Sequence, residues 1–337
     1  MCIIIEKSNI LTIQQRISAF AELGEYFGSQ KMNVEFIQHT RSLNPWFTPE
    51  NTKLRLDGLV EKLKASSLEQ KMKDFPQDDL PKSVALITED GYPLSHFESA
   101  LAVLLSGFHL KISVLGNDAK LTQFWVDKLC EIDRNFASRV EWVERLLDFD
   151  LVLVQTPQRK PHSFERYFSK YPHLIEKPSY SVAVLDGEEN EEDFVRLGNR
   201  IFDYFGRSPQ SVSKLYVPKG YDFTSFFKII EDWAYLSDHF KFRSNYDYKK
   251  SVFLLNTEKH LDNGFVLLRE GEGFGNHLPD LFYEEYADRM LLGEKLAKFP
   301  EINSVYRYGE DKEIVEDRSF GEGELSVLRF LKENREE

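Results

Sequence analysis

The chain has 337 residues, 42% of them hydrophobic and 14% aromatic, which fits two domains of ordinary size whose cores are built largely from rings. Its net charge of −13, from 43 basic and 56 acidic residues, repels phosphate backbones and argues against nucleic acid as a partner. No apolar run reaches the roughly 20 residues that cross a bilayer, and the start MCIIIEKSN lacks a secretion signal, so we expect a cytoplasmic protein without a membrane span.

The first half of the chain alternates helical and strand patterns. Apolar residues recur at intervals of three or four from Ile13 to Phe27, which predicts an amphipathic helix. A second helix is predicted to start at Thr48, whose hydroxyl can cap it, with Pro49 at the first helical position. Short β-rich runs follow at Ser83–Thr88, Leu110–Leu115, Val140–Val143 and Leu151–Thr156. This order predicts a parallel sheet with helices on both faces.

The second half mixes the same two patterns. Acidic residues at Glu188–Asp193 predict the start of a helix that runs to Phe205, because they suit the positive end of the helix dipole. The segment SVAVLDG (Ser181–Gly187) closes the first half, and strands are predicted after it at Ser213–Pro218, Ser251–Asn256 and Gly264–Leu268. Helical segments are predicted at Phe223–Phe242 and Asp280–Phe299.

The run His239–Lys250 is rich in aromatic and basic residues. Such a run could stack on a base or a nucleotide. We interpret it instead as a structured loop that packs Tyr246 and Tyr248.

The two cysteines give no sign of a metal site or a disulfide. Cys2 and Cys130 stand far apart without a CxxC spacing, so we predict neither a zinc site nor a disulfide bond, and no metal elsewhere. Cys130 lies in a helical run with apolar neighbours, which favours a buried core thiol.

Seven segments occur in an order typical of one protein family. They are NPWFTPEN (Asn44–Asn51), SGFH (Ser106–His109), ERYFSKYPHLI (Glu165–Ile175), SVAVLDG (Ser181–Gly187), VSKLYVPKGYDF (Val212–Phe223), NYDYKK (Asn245–Lys250) and LDNGFVLL (Leu261–Leu268). With them the chain resembles the LuxC-type family of long-chain acyl-CoA reductases, a branch of the aldehyde dehydrogenase superfamily. The resemblance covers most of the chain up to about Leu268.

The resemblance implies an aldehyde-dehydrogenase-like α/β fold. A Rossmann-type nucleotide-binding-type domain is expected at residues 1–187 and an α/β catalytic-type domain at residues 188–300. Residues 301–337 are expected to form a C-terminal segment that packs back on the first domain. The resemblance also implies NADPH as the cofactor of the family.

The resemblance places the nucleophilic cysteine of the family in the segment Phe205–Phe223. Pro209 occupies that position, and proline has no atom that can attack a thioester. Ser208, Ser211 and Ser213 lie nearby, but each would need a positioned base and no histidine is close in sequence. We interpret these serines as turn residues.

The oxyanion position implied by the resemblance is altered as well. The family has an asparagine two residues before a proline, and here the residue two before Pro93 is Gly91. Glycine keeps its backbone N–H but supplies no side-chain amide for the tetrahedral intermediate. Gly91 is also suited to a tight turn after the strand.

The cofactor-binding positions implied by the resemblance have changed too. The lysine that holds the adenosine ribose becomes Ser113, and the Gly-Ser pair that meets the pyrophosphate becomes Thr156 and Pro157. Proline removes an amide donor, and a β-branched residue hinders close approach of the backbone. Arg159 and Lys160 could attract a phosphate, although exposed loop charges are commonly not ligands. We therefore expect no cofactor.

Loss of three requirements of the family's chemistry predicts a pseudoenzyme, an acyl-CoA reductase-like protein that acts by binding an active homologue or another protein of fatty-acyl metabolism. Two alternatives stay open. One is an active NADPH-dependent reductase that converts acyl-CoA to aldehyde with a non-standard site, and the other is a sensor module that binds an acyl chain or acyl-CoA. In each case we expect Pro209 at the mouth of the cleft between the two domains, close to Gly91.

Overall fold

A computed structural model of the chain describes residues 11–32, 36–76, 82–89, 91–115, 119–156, 161–177, 179–275, 278–309, 316–317 and 322–335. The chain folds into two compact units. The first comprises Met1–Lys177 with Glu322–Glu337, and the second comprises Pro178–Gly321. Among the helices in the described ranges, none has both the length and the apolar character that a membrane span requires.

The first unit begins with helices. They are α1 (Ile13–Phe27), α2 (Gln30–Met32), α3 (Gln38–Leu43), α4 (Pro49–Lys62) and α5 (Ala65–Met72). Thr12 and Gln15 form a reciprocal capping box at the start of α1, and the hydroxyl of Thr48 accepts the backbone N–H of Asn51 at the start of α4. Both predicted helices are therefore confirmed, with their caps accounting for where they start.

The sheet of the first unit is entirely parallel. Its strands are β1 (Ser83–Thr88), β2 (His109–Val114), β3 (Val140–Trp142), β4 (Leu151–Gln155) and β5 (His173–Ile175), in the order β3-β2-β1-β4-β5. Helices α6 (Phe97–Leu105), α7 (Ala119–Ile132) and α8 (Pro161–Tyr167) lie between them in sequence. The four predicted strands are confirmed, and the carboxyl ends of all five gather at one edge of the sheet.

The last helix of the chain, α13 (Glu322–Glu333), belongs to the first unit. Its residues Val327, Leu328 and Leu331 are buried in the same core as the helices that precede the sheet. Arg335, just after α13, donates a hydrogen bond of 2.8 Å to the backbone carbonyl of Ser106. These contacts attach α13 to α6.

The second unit contains a seven-stranded sheet. Its strands are β6 (Tyr180–Val184), β7 (Val212–Pro218), β8 (Leu261–Asp262), β9 (Leu267–Glu270), β10 (Asp280–Tyr286), β11 (Ile302–Arg307) and β12 (Glu316–Asp317), in the order β12-β11-β6-β7-β10-β9-β8. The inner five strands are parallel, and the two edge strands are antiparallel to their neighbours. Its helices are α9 (Glu191–Phe202), α10 (Thr224–Ile230), α11 (Phe240–Leu255) and α12 (Arg289–Ala297).

The division between the units differs from the expected one. We expected the first domain to end at Gly187, but β6 pairs with β7 and β11 in the second sheet, so the second unit starts at Pro178. We also expected residues 301–337 to form one segment against the first domain. Instead β11 lies within the second sheet, and the first unit resumes only at Glu322.

Predictions for two segments of the second half are wrong. The expected strand Ser251–Asn256 forms the last turns of α11, which also includes the expected loop around Tyr246 and Tyr248. Helical spacing explains the difference, because Phe242, Tyr246 and Phe253 are buried on one side of α11.

The second wrong prediction concerns the segment expected to start a helix at Asp280, which forms β10 before α12 starts at Arg289. A contact across the sheet favours the strand, because Glu284 of β10 forms an ion pair with Lys214 of the neighbouring strand β7.

Candidate functional site

Pro209, at the predicted nucleophile position, lies in the short loop between a helical turn at Asp203–Gly206 and β7. Its backbone carbonyl accepts a hydrogen bond of 2.8 Å from the hydroxyl of Ser181 and one of 3.4 Å from the side-chain amide of Asn303. These donors stand near the starts of β6 and β11. The loop is therefore attached to the amino edge of the second sheet.

The turn that precedes this loop has an unusual backbone. Tyr204, Phe205 and Gly206 have φ angles of 56°, 57° and 68°, and left-handed non-glycine residues cost on the order of 1–3 kcal/mol each. Packing stabilises the turn, because the buried ring of Phe205 lies with its centroid 4.6 Å from the ring of His239. Glycine is needed at position 206, where a Cβ would come within 2.9 Å of a Leu278 carbon.

The three serines near Pro209, two in the loop and Ser213 in β7, have structural roles. The Oγ of Ser208 accepts the backbone N–H of Gln210, the hydroxyl of Ser213 donates to the backbone carbonyl of Ser181 at 3.4 Å, and Ser211 is buried. Within the described ranges, none of the three hydroxyls contacts a histidine or a carboxylate. None of these hydroxyls is therefore activated as a nucleophile.

His239 was missed by the sequence reasoning, although it is the histidine beside this loop. Its Nδ1 accepts the backbone N–H of Phe242 at 3.3 Å and so caps α11. The signal available in the sequence was weak, since histidine is not among the strongly preferred capping residues. The ring acts as a cap and a packing surface.

The predicted oxyanion and cofactor positions in the first unit lie at the carboxyl edge of its sheet. Gly91 is buried in the turn after β1, Ser113 is in β2 opposite Ile87 of β1, and Thr156 is buried directly after β4. The structure thus brings these three together on adjacent strands. Pro157, Arg159 and Lys160 lie outside the described residues. Pro209 is in the second unit, so its expected proximity to Gly91 stays a prediction.

The same edge holds a polar group that the sequence reasoning missed. Glu176 directly follows β5 and accepts a hydrogen bond from the side chain of Gln155, and burial raises the pKa of Glu176 to about 7. Beside it, the buried Thr88 Oγ1 and Gln155 Oε1 have no hydrogen-bond partner among the described residues. A titratable carboxyl group, a buried hydroxyl and a buried amide oxygen therefore lie at the ends of adjacent strands, where ligands bind in open parallel sheets.

This edge fits a dinucleotide poorly. The residues that directly follow β1, β2, β4 and β5 are Glu89, Leu115, Thr156 and Glu176, so among these four positions there are two carboxyl groups and no cation. A pyrophosphate is normally held by backbone N–H groups at a helix start and by cationic side chains. Glu89 would oppose its charge, and Glu176 would do so in its ionised form, which burial disfavours below about pH 7.

A second polar cluster lies within the sheet of the second unit. The ammonium of the buried Lys214 donates to the carboxylate of Glu284 at 2.7 Å and to the backbone carbonyl of Glu272 at 2.8 Å. Lys295 of α12 also pairs with Glu284. Burial lowers the pKa of Lys214. The ion pairs across β7, β10 and α12 indicate a structural role.

Within the described ranges, no group of three His, Cys, Asp or Glu residues is placed to hold a metal ion. Cys130 is half-buried on α7 and contacts the core of the first unit. Burial raises the pKa of its thiol, which disfavours the reactive thiolate.

No protein-family model matches this sequence, and no curated protein matches it. Several solved structures do resemble this chain. Aldehyde dehydrogenase 21 from Physcomitrella patens has a TM-score of 0.67 at 11% identity, over 94% of this chain and 76% of that one. A NAD-dependent aldehyde dehydrogenase from Sinorhizobium meliloti has a TM-score of 0.65 at 10% identity, over 95% and 73%.

A NAD-dependent benzaldehyde dehydrogenase from Corynebacterium glutamicum has a TM-score of 0.65 at 10% identity, over 89% of this chain and 77% of that one. At such low identity these likenesses show the fold alone. The chain therefore has the aldehyde dehydrogenase fold, with parallel α/β sheets of the Rossmann type and the catalytic-domain type, which confirms the fold predicted from the sequence.

Proposed function

We propose that the chain is a catalytically inactive member of the LuxC-type family that acts in the cytoplasm by binding an active homologue or another protein of fatty-acyl metabolism. The observation that carries the proposal is Pro209 in a loop whose serines have structural contacts. Thioester reduction through a covalent intermediate needs a nucleophile that attacks the carbonyl and then leaves, as a thiolate does. This loop offers none.

The carboxyl edge of the first sheet supports the same proposal. Gly91 supplies no side-chain amide to an oxyanion, and Ser113 and Thr156 provide no positive charge for a dinucleotide. Glu89 adds negative charge there, and Glu176 adds more when it is ionised above about pH 7. Because acylation, oxyanion stabilisation and hydride delivery act together, loss of all three leaves a scaffold suited to binding.

One observation favours a second candidate, an active reductase with a non-standard site. Glu176 has a pKa of about 7, which is the value at which a carboxyl group works best as a general base or acid near neutral pH. Perturbed carboxyl groups at a ligand edge are commonly functional. If this protein is an enzyme, Glu176 is the residue we expect its activity to require.

The test is incubation of the full chain with NADPH and a panel of acyl-CoAs from short to long chains. The proposal predicts no NADPH oxidation above the rate without protein. It also predicts that neither NADPH nor NADP raises the melting temperature at millimolar concentration, whereas a ligand at 100 times its Kd would stabilise by about 2.7 kcal/mol.

Each other outcome identifies a different function. Turnover that is lost in Glu176→Gln would establish the second candidate and contradict the proposal. A rise in melting temperature with acyl-CoA but no turnover would establish an acyl-CoA sensor. Recovery of an acyl-CoA reductase homologue from cytoplasm on the immobilised chain, and its loss after competition with free chain, would support the proposal.

A further inference from the structure

A polar cavity opens at the amino edge of the first sheet, the edge opposite to the predicted oxyanion and cofactor positions. Its volume is about 340 Å³, within the roughly 300–1,000 Å³ of small-molecule sites. Ser83 starts β1 at this edge and Thr88 ends β1 at the other, so the two edges lie about 16 Å apart at 3.3 Å per residue. The cavity is therefore separate from the carboxyl edge and large enough for a small ligand.

Two charged residues of the cavity wall satisfy each other. The ammonium of Lys111 on β2 lies 3.4 Å from a carboxylate oxygen of Glu141 on β3. It also donates a hydrogen bond of 3.2 Å to the backbone carbonyl of Leu147. Because this pair is neutral as a whole, recognition of a charged ligand depends on the other ionised groups of the wall.

A guanidinium supplies positive charge where β2 and β3 begin. Arg139 lines the cavity, directly precedes β3 and is buried. Its Nη1 lies 3.0 Å from Nε2 of His109, the first residue of β2. Since guanidinium nitrogens only donate hydrogen bonds, Nε2 of His109 accepts this one. The bond holds beside β2 a group whose fork of donors matches a carboxylate.

Two carboxylates supply negative charge on the other side of the cavity. Asp148 and Asp150 line the wall just before β4. The Oδ2 of Asp150 accepts the backbone N–H of Ser83 at 2.7 Å and the hydroxyl of Ser83 at 3.1 Å. These bonds hold the carboxylate of Asp150 at the start of β1. A carboxylate has lone pairs enough to accept from the protein and from a ligand at once.

Asp148 has a left-handed backbone, with a φ of 53°. Its backbone carbonyl accepts the hydroxyl of Ser83 at 3.3 Å. Left-handed backbone at a residue other than glycine is unfavourable and is concentrated at functional sites. The unusual backbone thus occurs at the wall of the cavity, where it contributes the second carboxylate.

The opposite charges of the wall belong to neighbouring strands. His109 and Ser83 pair in register on β2 and β1, about 5 Å apart, with the guanidinium beside one and the carboxylate of Asp150 on the other. A simple anion would meet the carboxylates, and a simple cation would meet the guanidinium. A ligand with an ammonium and a carboxylate side by side satisfies both. An α-amino acid has these two groups on one carbon atom.

The balance of charge and the volume indicate the side chain of the ligand. Two carboxylates, those of Asp148 and Asp150, accompany the single guanidinium of Arg139. The α-ammonium of an amino acid pairs with one carboxylate, so a cationic side chain is needed for the other. At roughly 30 Å³ for each water molecule, the cavity has room for about eleven, which is close to the size of lysine or arginine.

We propose that this cavity binds a basic α-amino acid, lysine or arginine. The ligand's carboxylate pairs with Arg139, its α-ammonium with Asp150 and its side-chain cation with Asp148. The site is built from the first unit alone and needs no catalytic group. Binding there is therefore independent of whether the chain is an enzyme.

Isothermal titration calorimetry of the full chain at low salt tests the proposal, with L-lysine and L-arginine as the probes. At least one of them should bind with a Kd of about 1 mM or tighter and raise the melting temperature. Added salt should weaken binding, because Asp148 and Asp150 are exposed at the cavity and salt screens their charges. Failure of both amino acids to bind would overturn the proposal.

Analogues that each lack one charged group test which contacts matter. Cadaverine and agmatine lack the carboxylate of lysine and of arginine, ε-aminocaproate and δ-guanidinovalerate lack the α-ammonium, and norleucine lacks the side-chain cation. Each should bind at least tenfold more weakly than the amino acid from which it differs. An analogue that binds as tightly as its parent would overturn the proposal, since a site for a simple cation, a simple anion or a neutral side chain would then suffice.

A charge variant with a matched control tests the location. Asp148→Asn removes one carboxylate and keeps a residue type that tolerates the left-handed backbone, so it should weaken binding at least fivefold. Glu144→Gln is the control, because Glu144 is exposed in the same loop, is not among the residues that line the cavity, and its loss changes the net charge equally. The control should bind like the native chain. Equal affinity of Asp148→Asn and the native chain would contradict binding at this cavity.

Discussion

The hydroxyl of Ser181 donates a hydrogen bond of 2.8 Å to the backbone carbonyl of Pro209. Ser181 is fully buried near the start of β6, so the bond attaches the loop at the predicted nucleophile position to the edge of the second sheet. The loop is thus held in place by backbone contacts that do not depend on a catalytic side chain.

This contact should contribute measurably to stability. Ser181→Ala removes the shorter of the two donors to Pro209, and loss of a buried hydrogen bond should lower the free energy of unfolding by about 1 kcal/mol. Urea unfolding followed by circular dichroism measures it. Ser213→Ala is the control, since that hydroxyl makes only a 3.4 Å bond from a half-buried position. Equal losses of unfolding free energy in the two variants would show that the bond to Pro209 stabilises the fold no more than the bond from Ser213 does.

Glu176 should make stability depend on pH. Burial raises its folded-state pKa from 4.5 to about 7, so the folded protein keeps the proton over a range in which the unfolded chain has already released it. The free energy of unfolding should therefore fall as pH rises from about 4.5 to about 7 and then level off. Glu176→Gln should be more stable than the native chain above pH 7, by at most about 3 kcal/mol, and similar to it near pH 4.5.

Urea midpoints of both proteins across this pH range measure the effect. Glu165→Gln is a suitable control, because Glu165 is on α8 and its pKa is lowered by a hydrogen bond to His162. The difference in unfolding free energy between Glu165→Gln and the native chain should not grow in favour of the variant as the pH rises toward 7. A constant difference between Glu176→Gln and the native chain at every pH would contradict the assigned pKa shift.

Lys214 and Glu284 form a buried ion pair, and removal of each partner should lower the free energy of unfolding by a different amount. Glu284→Gln leaves the ammonium of Lys214 buried without a counter-ion, which should cost about 3 kcal/mol. Lys214→Met should cost less, because Glu284 keeps Lys295 as a partner. Chemical unfolding of the two variants gives the comparison, and a greater loss in Lys214→Met would contradict the assigned network.

The sequence carries enough information to predict β1 because this strand is buried along its whole length. A strand buried on both faces is a continuous apolar run, which is readable without knowledge of the tertiary structure. The starts of α1 and α4 can also be predicted from the local sequence, since each cap depends on residues three positions apart.

The wrong predictions depend on contacts distant in sequence. The apolar residues after Ser251 resemble a strand, and packing of Phe253 and Tyr246 against Leu267 is part of what favours a helix. In β10, Glu284 meets a lysine 70 positions earlier in the chain. The raised pKa of Glu176 likewise comes from burial by the folded unit. Local sequence patterns contain none of these contacts.

The central claim, that the family's chemistry has been lost as a unit, is tested most directly by Pro209→Cys supplied with NADPH and an acyl-CoA. Because groups that act together are strongly non-additive, restoring one of them should recover little rate. We expect at most slow acylation of the new cysteine, seen by intact-mass spectrometry as a stoichiometric adduct that is absent from the Gln210→Cys control. Steady NADPH oxidation by Pro209→Cys, approaching the roughly 10 per second of ordinary enzymes, would contradict the claim.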